Sequence, residues 1–430
     1  MASTHYTPHA TRALPNRADC DRLMLSHLFR SLRHPQFRVF YFGQLVSITG
    51  TWMQNMAQAW LVYRLTHSSV LLGTVAFAGL LPVLLFGLVG GVLADRVPRR
   101  TLLIGAQLVA MAQAFLLATL VIGGWVATWH IVLLAFVLGT ANAIEMPSRH
   151  SFLAELVPAQ DLPNAIALNS SIFNLARFAG PALAGLLVGL WGEGTVFLLN
   201  GITFLAVLWG LFTLSAGRTA APSGSQSQWS RLREGLGYAW QTKPIRMALL
   251  LLTTCSLSAP AYTVLMPIFA HRVFAGGAEM LGLLLGTAGI GALLAAMRLA
   301  YLSGRQSLPH NIALAAISAG AGMLLFANTE RLWMALPLLA LLGFSISTMA
   351  ASVNTLIQMQ VPNQLRGRIM ALFAVLFIGI TSLGNMLAGL TAAHVGASFA
   401  VMIAGAVCTS AGIVYRLRAT GDAGAQAGSV

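Results

Sequence analysis

The sequence predicts an all-α polytopic membrane protein of about 12 transmembrane helices in two pseudo-symmetric six-helix halves. Three observations predict it. The chain is 57% hydrophobic and only 8% charged, with a mean hydropathy of +0.77, far less charge than a soluble domain carries on its surface. Its apolar residues fall in runs of about 20, the length that crosses a hydrocarbon core. And the chain repeats itself: Glu155-Leu-Val-Pro-Ala-Gln-Asp161 precedes the fifth run, and Met359-Gln-Val-Pro-Asn-Gln-Leu365 precedes the eleventh, 204 residues on. At that offset Gln160 matches Gln364, Ala167-Leu168 matches Ala371-Leu372, Gly180 matches Gly384, and Leu183-Ala-Gly-Leu186 matches Leu387-Ala-Gly-Leu390.

The elements follow in order. Residues 1–36 form a polar, Arg-rich tail with no apolar core, so no cleavable signal peptide is expected and the first span acts as the insertion signal. Within the tail, residues 25–32 read as a short amphipathic helix on the membrane surface. The six spans of the N-terminal half (37–214) are expected near 37–61, 71–94, 101–122, 129–146, 164–190 and 196–214. Asp95 and Arg96 end the second apolar run, and Pro98 stops its helix. A polar cytoplasmic loop, 215–243, rich in Ser, Gly and Gln, breaks the pattern. The C-terminal half (244–416) holds spans near 245–269, 281–302, 312–327, 332–353, 368–392 and 398–415, and residues 417–430 are a cytoplasmic tail.

Charge sets the orientation. With the N-terminus inside, 20 of the 25 Lys and Arg residues fall on the cytoplasmic side. Arg64, Arg272 and Arg331 fall outside, and Arg177 and Arg298 lie within spans. Both termini are therefore expected in the cytoplasm. The same distribution gives the net charge of +14 a structural cause, and it calls for no nucleic acid. Cys20, Cys255 and Cys408 offer neither a metal spacing nor an obvious disulfide pair. No catalytic constellation and no phosphate-binding loop is visible, so neither an enzyme nor a bound cofactor is expected. The soluble segments are too short to hold a nucleotide-binding domain, which leaves an ion gradient as the simplest energy source.

Several residues are candidates for chemistry. The stretch Gly90-Gly-Val-Leu-Ala-Asp-Arg-Val-Pro-Arg-Arg100 reads either as a plain cytoplasmic hairpin or as a gating hinge built on Gly91, Asp95, Arg96, Arg99 and Arg100. In span five, Gly180 and Gly185 allow close backbone approach and Pro181 removes a donor, which suits a packing seam or a helix that rocks on its partner. Arg177 lies near mid-span, where an ionised side chain normally faces a cavity or a partner. It either bonds backbone carbonyls or Glu145 and locks the fold, or lines a cavity and attracts an anionic substrate or takes part in coupling. Glu145 is the one carboxylate besides Asp95 near a span's interior, and it is a candidate proton carrier. Gln44, Ser47, Thr51, Asn55 and Gln58 recur at three to four residues in span one and share a face. That face either lines a cavity or bonds to neighbouring helices. Asn142 and Asn354 are further polar candidates, and Trp52 and Phe77 are candidates for an apolar ligand.

The stretch from Gly91 to Arg100 resembles the loop signature between spans two and three of the major facilitator superfamily, with Pro98 in place of the usual glycine. Its second-half equivalent, near Ser303-Gly-Arg305, is degenerate and has no acid. Gly180-Pro181 with Gly185 is similar to the span-five motif of exporters that exchange substrate for protons. Glu145 through Pro158, with Asn164 through Pro181, resembles more specifically the branch containing the enterobactin exporter and macrolide-efflux proteins. The resemblance covers roughly residues 30–418. It implies an inner-membrane monomer in the lipid bilayer that works by alternating access. It further implies antiport of protons against a small amphipathic substrate, a drug or antibiotic, with an endogenous siderophore such as a catecholate as the alternative. It also implies that Asp95 closes against the N-terminus of span eleven, whose free N–H groups carry partial positive charge. Many proton-coupled drug exporters carry an acid within span one or span four, and span one here has none. A non-transporting membrane receptor is the rival from another class; the paired repeat and the polar first span argue against it.

Overall fold

The computed structural model describes residues 29–214, 228–301 and 307–427; the side chains of a few helical positions within them, Asp95 included, lie outside the described residues. Among the described residues every regular element is helical. Helix α1 (Pro35–Thr66) begins at a proline, whose missing N–H belongs to a turn that has no helical acceptor for it, and ends at His67 in the left-handed region. Helix α2 (Ser69–Arg96) opens on Ser68, whose hydroxyl accepts the N–H of Leu71 at 3.3 Å, and closes before Pro98. Then come α3 (Arg99–Ile122), α4 (Thr128–Leu156) and the 52-residue α5 (Leu162–Thr213).

Spans five and six, expected as separate runs, are the two arms of α5. They are bent apart at Gly192, whose φ of 79° and ψ of 169° suit glycine almost alone. The central segment is not all loop. Residues 215–227 lie outside the described residues, and α6 (Gln228–Gln241) is helical. Helix α7 (Lys243–Ser258) continues past Pro260 through short turns to a π-helical turn at Phe269–Val273. Helices α8 (Ala278–Tyr301), α9 (Leu308–Ala327) and α10 (Leu332–Gln360) follow. Span eleven is α11 (Asn363–Ala374) and α12 (Ile380–Val395), joined by a π-helical turn. The last helix, α13 (Ala397–Ala427), outruns its expected span. Among the described residues ten helices are long and apolar enough to cross a membrane; α5, one of them, has two arms each of spanning length, and with the more polar 32-residue α1 the number matches the twelve expected.

The expected amphipathic helix at 25–32 is not what the described part shows. Residues 25–28 lie outside the described residues, and Arg30–Arg33 is a 3-10 turn. That turn is clamped to the loop before α5. Arg30 and His34 reach Asp161 at 2.6 and 2.8 Å, and the Ser31 N–H donates to Asn164 Oδ1 at 2.9 Å.

Within the first half α1 packs on α5 and α2 on α4; within the second α8 packs on α10 and α9 on α13. The halves meet through α5 against α8 and α2 against α12. Glycines let these backbones touch. A Cβ at Gly185 would lie 3.0 Å from Gly282 Cα, and one at Gly73 would lie 3.0 Å from Gly389 Cα. Gly185 and Gly389 are partners in the 204-residue register, so the sequence repeat reappears as two equivalent seams. Gly139 on α4 and Gly343 on α10 share that register, and each packs on a carbonyl of the neighbouring helix, Gly79 and Ala288 respectively.

The cores divide unevenly. At the end away from the termini one apolar core joins both halves, including Leu61, Leu72 and Phe197 from the first and Tyr262, Leu281 and Phe326 from the second. At the end that carries the termini each half keeps its own core: Phe37, Leu103, Phe152 and Leu211 in the first, Ile245, Ile312, Ile357 and Tyr415 in the second. The molecule is closed at one end and parted at the other.

Candidate functional site

Beneath the shared core lies a cavity of about 420 Å³, walled by both halves. Helix α1 contributes Trp52, Asn55 and Gln58, α4 contributes Asn142, and α5 contributes Arg177 and Pro181. From the second half come Tyr262, Thr263, Leu285, Thr381 and Asn385, and the remaining wall is mostly Ala, Leu and Val. Six expected residues, Trp52, Asn55, Gln58, Asn142, Arg177 and Pro181, therefore share one cavity. Thr263, Thr381 and Asn385 were not anticipated. The signal for two of them was present: Thr381 and Asn385 are the register partners of Arg177 and Pro181.

Arg177 is, among the described residues, the one charged side chain in this wall. Among the described residues it makes neither an ion pair nor a side-chain hydrogen bond, and it does not reach Glu145. The proline four residues on has no N–H to give the Arg177 carbonyl, and Gly289 of α8 packs directly on that carbonyl. The free guanidinium thus sits where α5 loses one rung of its ladder and touches the other half.

The polar face of α1 divides by depth. Asn55 and Gln58 reach the cavity, whereas the Thr51 hydroxyl donates back to the Ser47 carbonyl at 3.0 Å. Gln44 is 1% exposed, and neither its Nε2 nor its Oε1 has a hydrogen-bond partner. It approaches Glu145 without hydrogen-bond geometry. Glu145 pairs instead with Arg149 one turn on, at 3.1 Å, with both side chains buried. The Arg149 guanidinium lies 4.4 Å from the centre of the Phe173 ring. On the far side of α1, the Asn200 amide donates to Gln54 at 2.7 Å and Gln54 donates to Gln113 at 2.9 Å, knitting α1, α3 and α5 together.

In the expected gating loop, Arg99 pairs with Glu155 and also donates to the Ser151 carbonyl at 3.3 Å. Arg100 donates to the carbonyls of Leu211 and Phe212 at 2.6 and 3.0 Å, covering the end of α5. Arg96 is exposed, Gly91 faces open space, and the Asp95 side chain lies outside the described residues. The neighbouring Gly90 packs on the Ala143 carbonyl, so α2 and α4 touch just above the loop. Across the opening, Arg368 at the start of α11 pairs with Glu234 of α6.

A family profile described as transmembrane secretion effector matches residues 26–427. The chain is 24% identical to the Staphyloferrin A transporter of Staphylococcus aureus, over 86% of this chain and 94% of that protein. It is 28% identical to the multidrug efflux pump Tap of Mycolicibacterium fortuitum, over 81% and 87%. It is 27% identical to macrolide efflux protein A of Streptococcus pyogenes, over 36% and 38%. In fold it resembles a POT family transporter crystallised with a thioalcohol conjugated peptide, with a TM-score of 0.73 at 11% identity over 89% of this chain and 96% of that one. The nucleoside transporter NupG aligns with a TM-score of 0.66 at 12% identity, over 88% and 98%.

Proposed function

The chain belongs to the transmembrane secretion effector family of the major facilitator superfamily, and from that premise we propose that it is a secondary exporter that drives a small amphipathic compound, a drug or antibiotic, out of the cell by proton antiport. That it is a multi-pass membrane transporter rather than an enzyme is given by the family. The observation that carries the proposal is the uneven core: a cavity roofed by one shared core and open between two separate ones. Placed in the inner membrane with both termini cytoplasmic, the orientation that the distribution of positive residues favours, this is the inward-facing state of a monomer that alternates.

Glu145 is the proton site in this reading. In the 204-residue register Glu145 corresponds to Met349 and Arg149 to Val353, both buried in the apolar core of the second half. One half therefore builds the same helix contact with Met and Val, so the architecture does not require the ion pair. Buried pairs are weak contributors to stability, which favours a working role. A proton on Glu145 neutralises it and releases Arg149, and its departure restores the pair. In this reading the other state of the transporter closes the cytoplasmic side with Asp95 against the start of α11, where Pro362 supplies no side-chain cap to the first N–H groups. A second reading, export of an endogenous siderophore, is favoured by the free guanidinium of Arg177.

The test is accumulation of a dye panel and a catecholate siderophore in cells with and without the protein, each with a protonophore. Lower accumulation that the protonophore reverses is the expected result. Export that persists without a proton gradient overturns the antiport assignment, and identical accumulation of every compound overturns the exporter reading for these classes.

A further inference from the structure

We infer that the exported compound is an amphipathic anion whose oxyanion, a carboxylate or a catecholate, is bound in the cavity by Arg177. The inference rests on the exporter reading and names its substrate class.

The argument begins with electrostatics. A guanidinium held in a mostly apolar, half-enclosed wall has lost part of its hydration, and such a charge is retained when something compensates it. Among the described residues the cavity wall contains no acid. Arg177 pairs with none elsewhere among the described residues, and Glu145, the acid it was expected to reach, is held by Arg149. The compensating charge is therefore left to the cargo. A planar guanidinium also matches the two oxygens of a carboxylate or catecholate, giving paired charge-assisted hydrogen bonds.

The repeat supplies the control. Arg177 and Thr381 occupy equivalent places, and both line the cavity. Their neighbours Pro181 and Asn385 make equivalent contacts, each carbonyl lying against a glycine of the opposite half, Gly282 and Gly73. Span eleven makes the same seam with a threonine, so the seam does not need the arginine. The charge is an addition to one side of a shared pattern.

The rest of the wall sorts the cargo's other groups. Asn142, Asn55 and Asn385 offer amides, and Trp52 and Tyr262 offer aromatic surface. A volume of about 420 Å³ lies within the range of pockets for compact drug-sized ligands. The cargo is thus an apolar or aromatic body with one anionic end, and a cation of the same shape is disfavoured.

The experiment measures binding to the full-length protein in lipid nanodiscs, using pyrenebutyrate, its neutral primary amide and pyrenebutylamine as a matched series. Wild type should bind the carboxylate about tenfold more tightly than the amide and should bind the amine least. Arg177→Thr, which copies the register partner, should lose that preference while keeping its affinity for the amide; Arg177→Lys should retain part of it. Equal affinity for all three probes, preference for the amine, or saturable binding of none overturns the inference. So does an Arg177→Thr variant that weakens carboxylate and amide alike. The wild-type series decides the matter even if a variant fails to fold. A catecholate-bearing probe run beside the carboxylate identifies which oxyanion is preferred. Because binding is read without an ion gradient, the two readings fail separately. Anion preference with identical accumulation of every compound in cells with and without the protein removes the exporter alone, and energised export with amine preference removes the anion alone.

Discussion

Glu145 and Arg149 form a pair 7% and 3% exposed, and removing one partner leaves a buried charge uncompensated. Glu145→Gln should therefore destabilise the first half by about 3–5 kcal/mol. The double replacement Glu145→Met with Arg149→Val, which writes the second half's residues into the first, should recover most of that loss and abolish proton-driven flux. Thermal unfolding in detergent and flux in proteoliposomes check both statements; a double variant less stable than Glu145→Gln contradicts them. Elsewhere on α1 the Gln54 network is structural. Asn200→Ala leaves the Gln54 amide oxygen short of its donor and should cost about 1–3 kcal/mol. These two outcomes mark what was legible at this scale. Periodicity placed the polar residues of span one on a face but said nothing of depth. It could not separate Asn55 and Gln58 in the cavity from Gln44 sealed below it. Arg177 and Glu145 stood out as charges in a membrane, yet pairing them with each other failed, because Arg149, read as a cytoplasmic charge, is folded back one turn onto Glu145.

Among the elements, α5 concentrates the mechanics. Its arms turn at Gly192 with no linker, in a conformation that a side chain enters only under strain. Open space surrounds the position, so Gly192→Ala should cost about 1–3 kcal/mol through backbone conformation alone, seen as a lower melting temperature with cavity binding intact. Gly185→Val acts differently. Even its first carbon would lie 2.9 Å from the Ala278 carbonyl oxygen, so α5 and α8 must separate. The variant should remain folded and lie biased toward opening at this end, reported by faster alkylation of a cysteine placed at Val188, which is buried in the joint core. Unchanged alkylation would show that the seam does not hold the end shut. Both glycines were visible in the sequence as part of the span-five motif or as a break between runs. The helix at 228–241 was not, since its apolar residues are too few to stand out from a polar segment.

For the whole molecule, the repeat was the most legible feature, because a duplicated unit keeps its register even where its chemistry diverges. That register carried the seams, the cavity partners Thr381 and Asn385 and the apolar counterpart of the ion pair. What it could not convey was the state of the assembly, which depends on which end the halves share a core. Spin labels at Leu65 and Val395, exposed near the closed end, and at Phe212 and Met359, exposed near the open one, should report opposite changes when substrate and a proton gradient are supplied. The outer pair should move apart as the inner pair approaches; parallel movement of both pairs would exclude rocking about a central cavity. The closing seams have one further property: at Gly73, Gly185, Gly282 and Gly389 they are backbone against backbone. Those backbone contacts read no cargo. Selection on what is carried can therefore act on the cavity wall one codon at a time while the moving parts stay as they are. Variants that change which compounds are carried should collect around Arg177, Asn142 and Trp52, and those that abolish all transport should collect along the glycine lines. In a lineage under shifting chemical pressure, such a separation lets specificity drift without passing through a dead transporter.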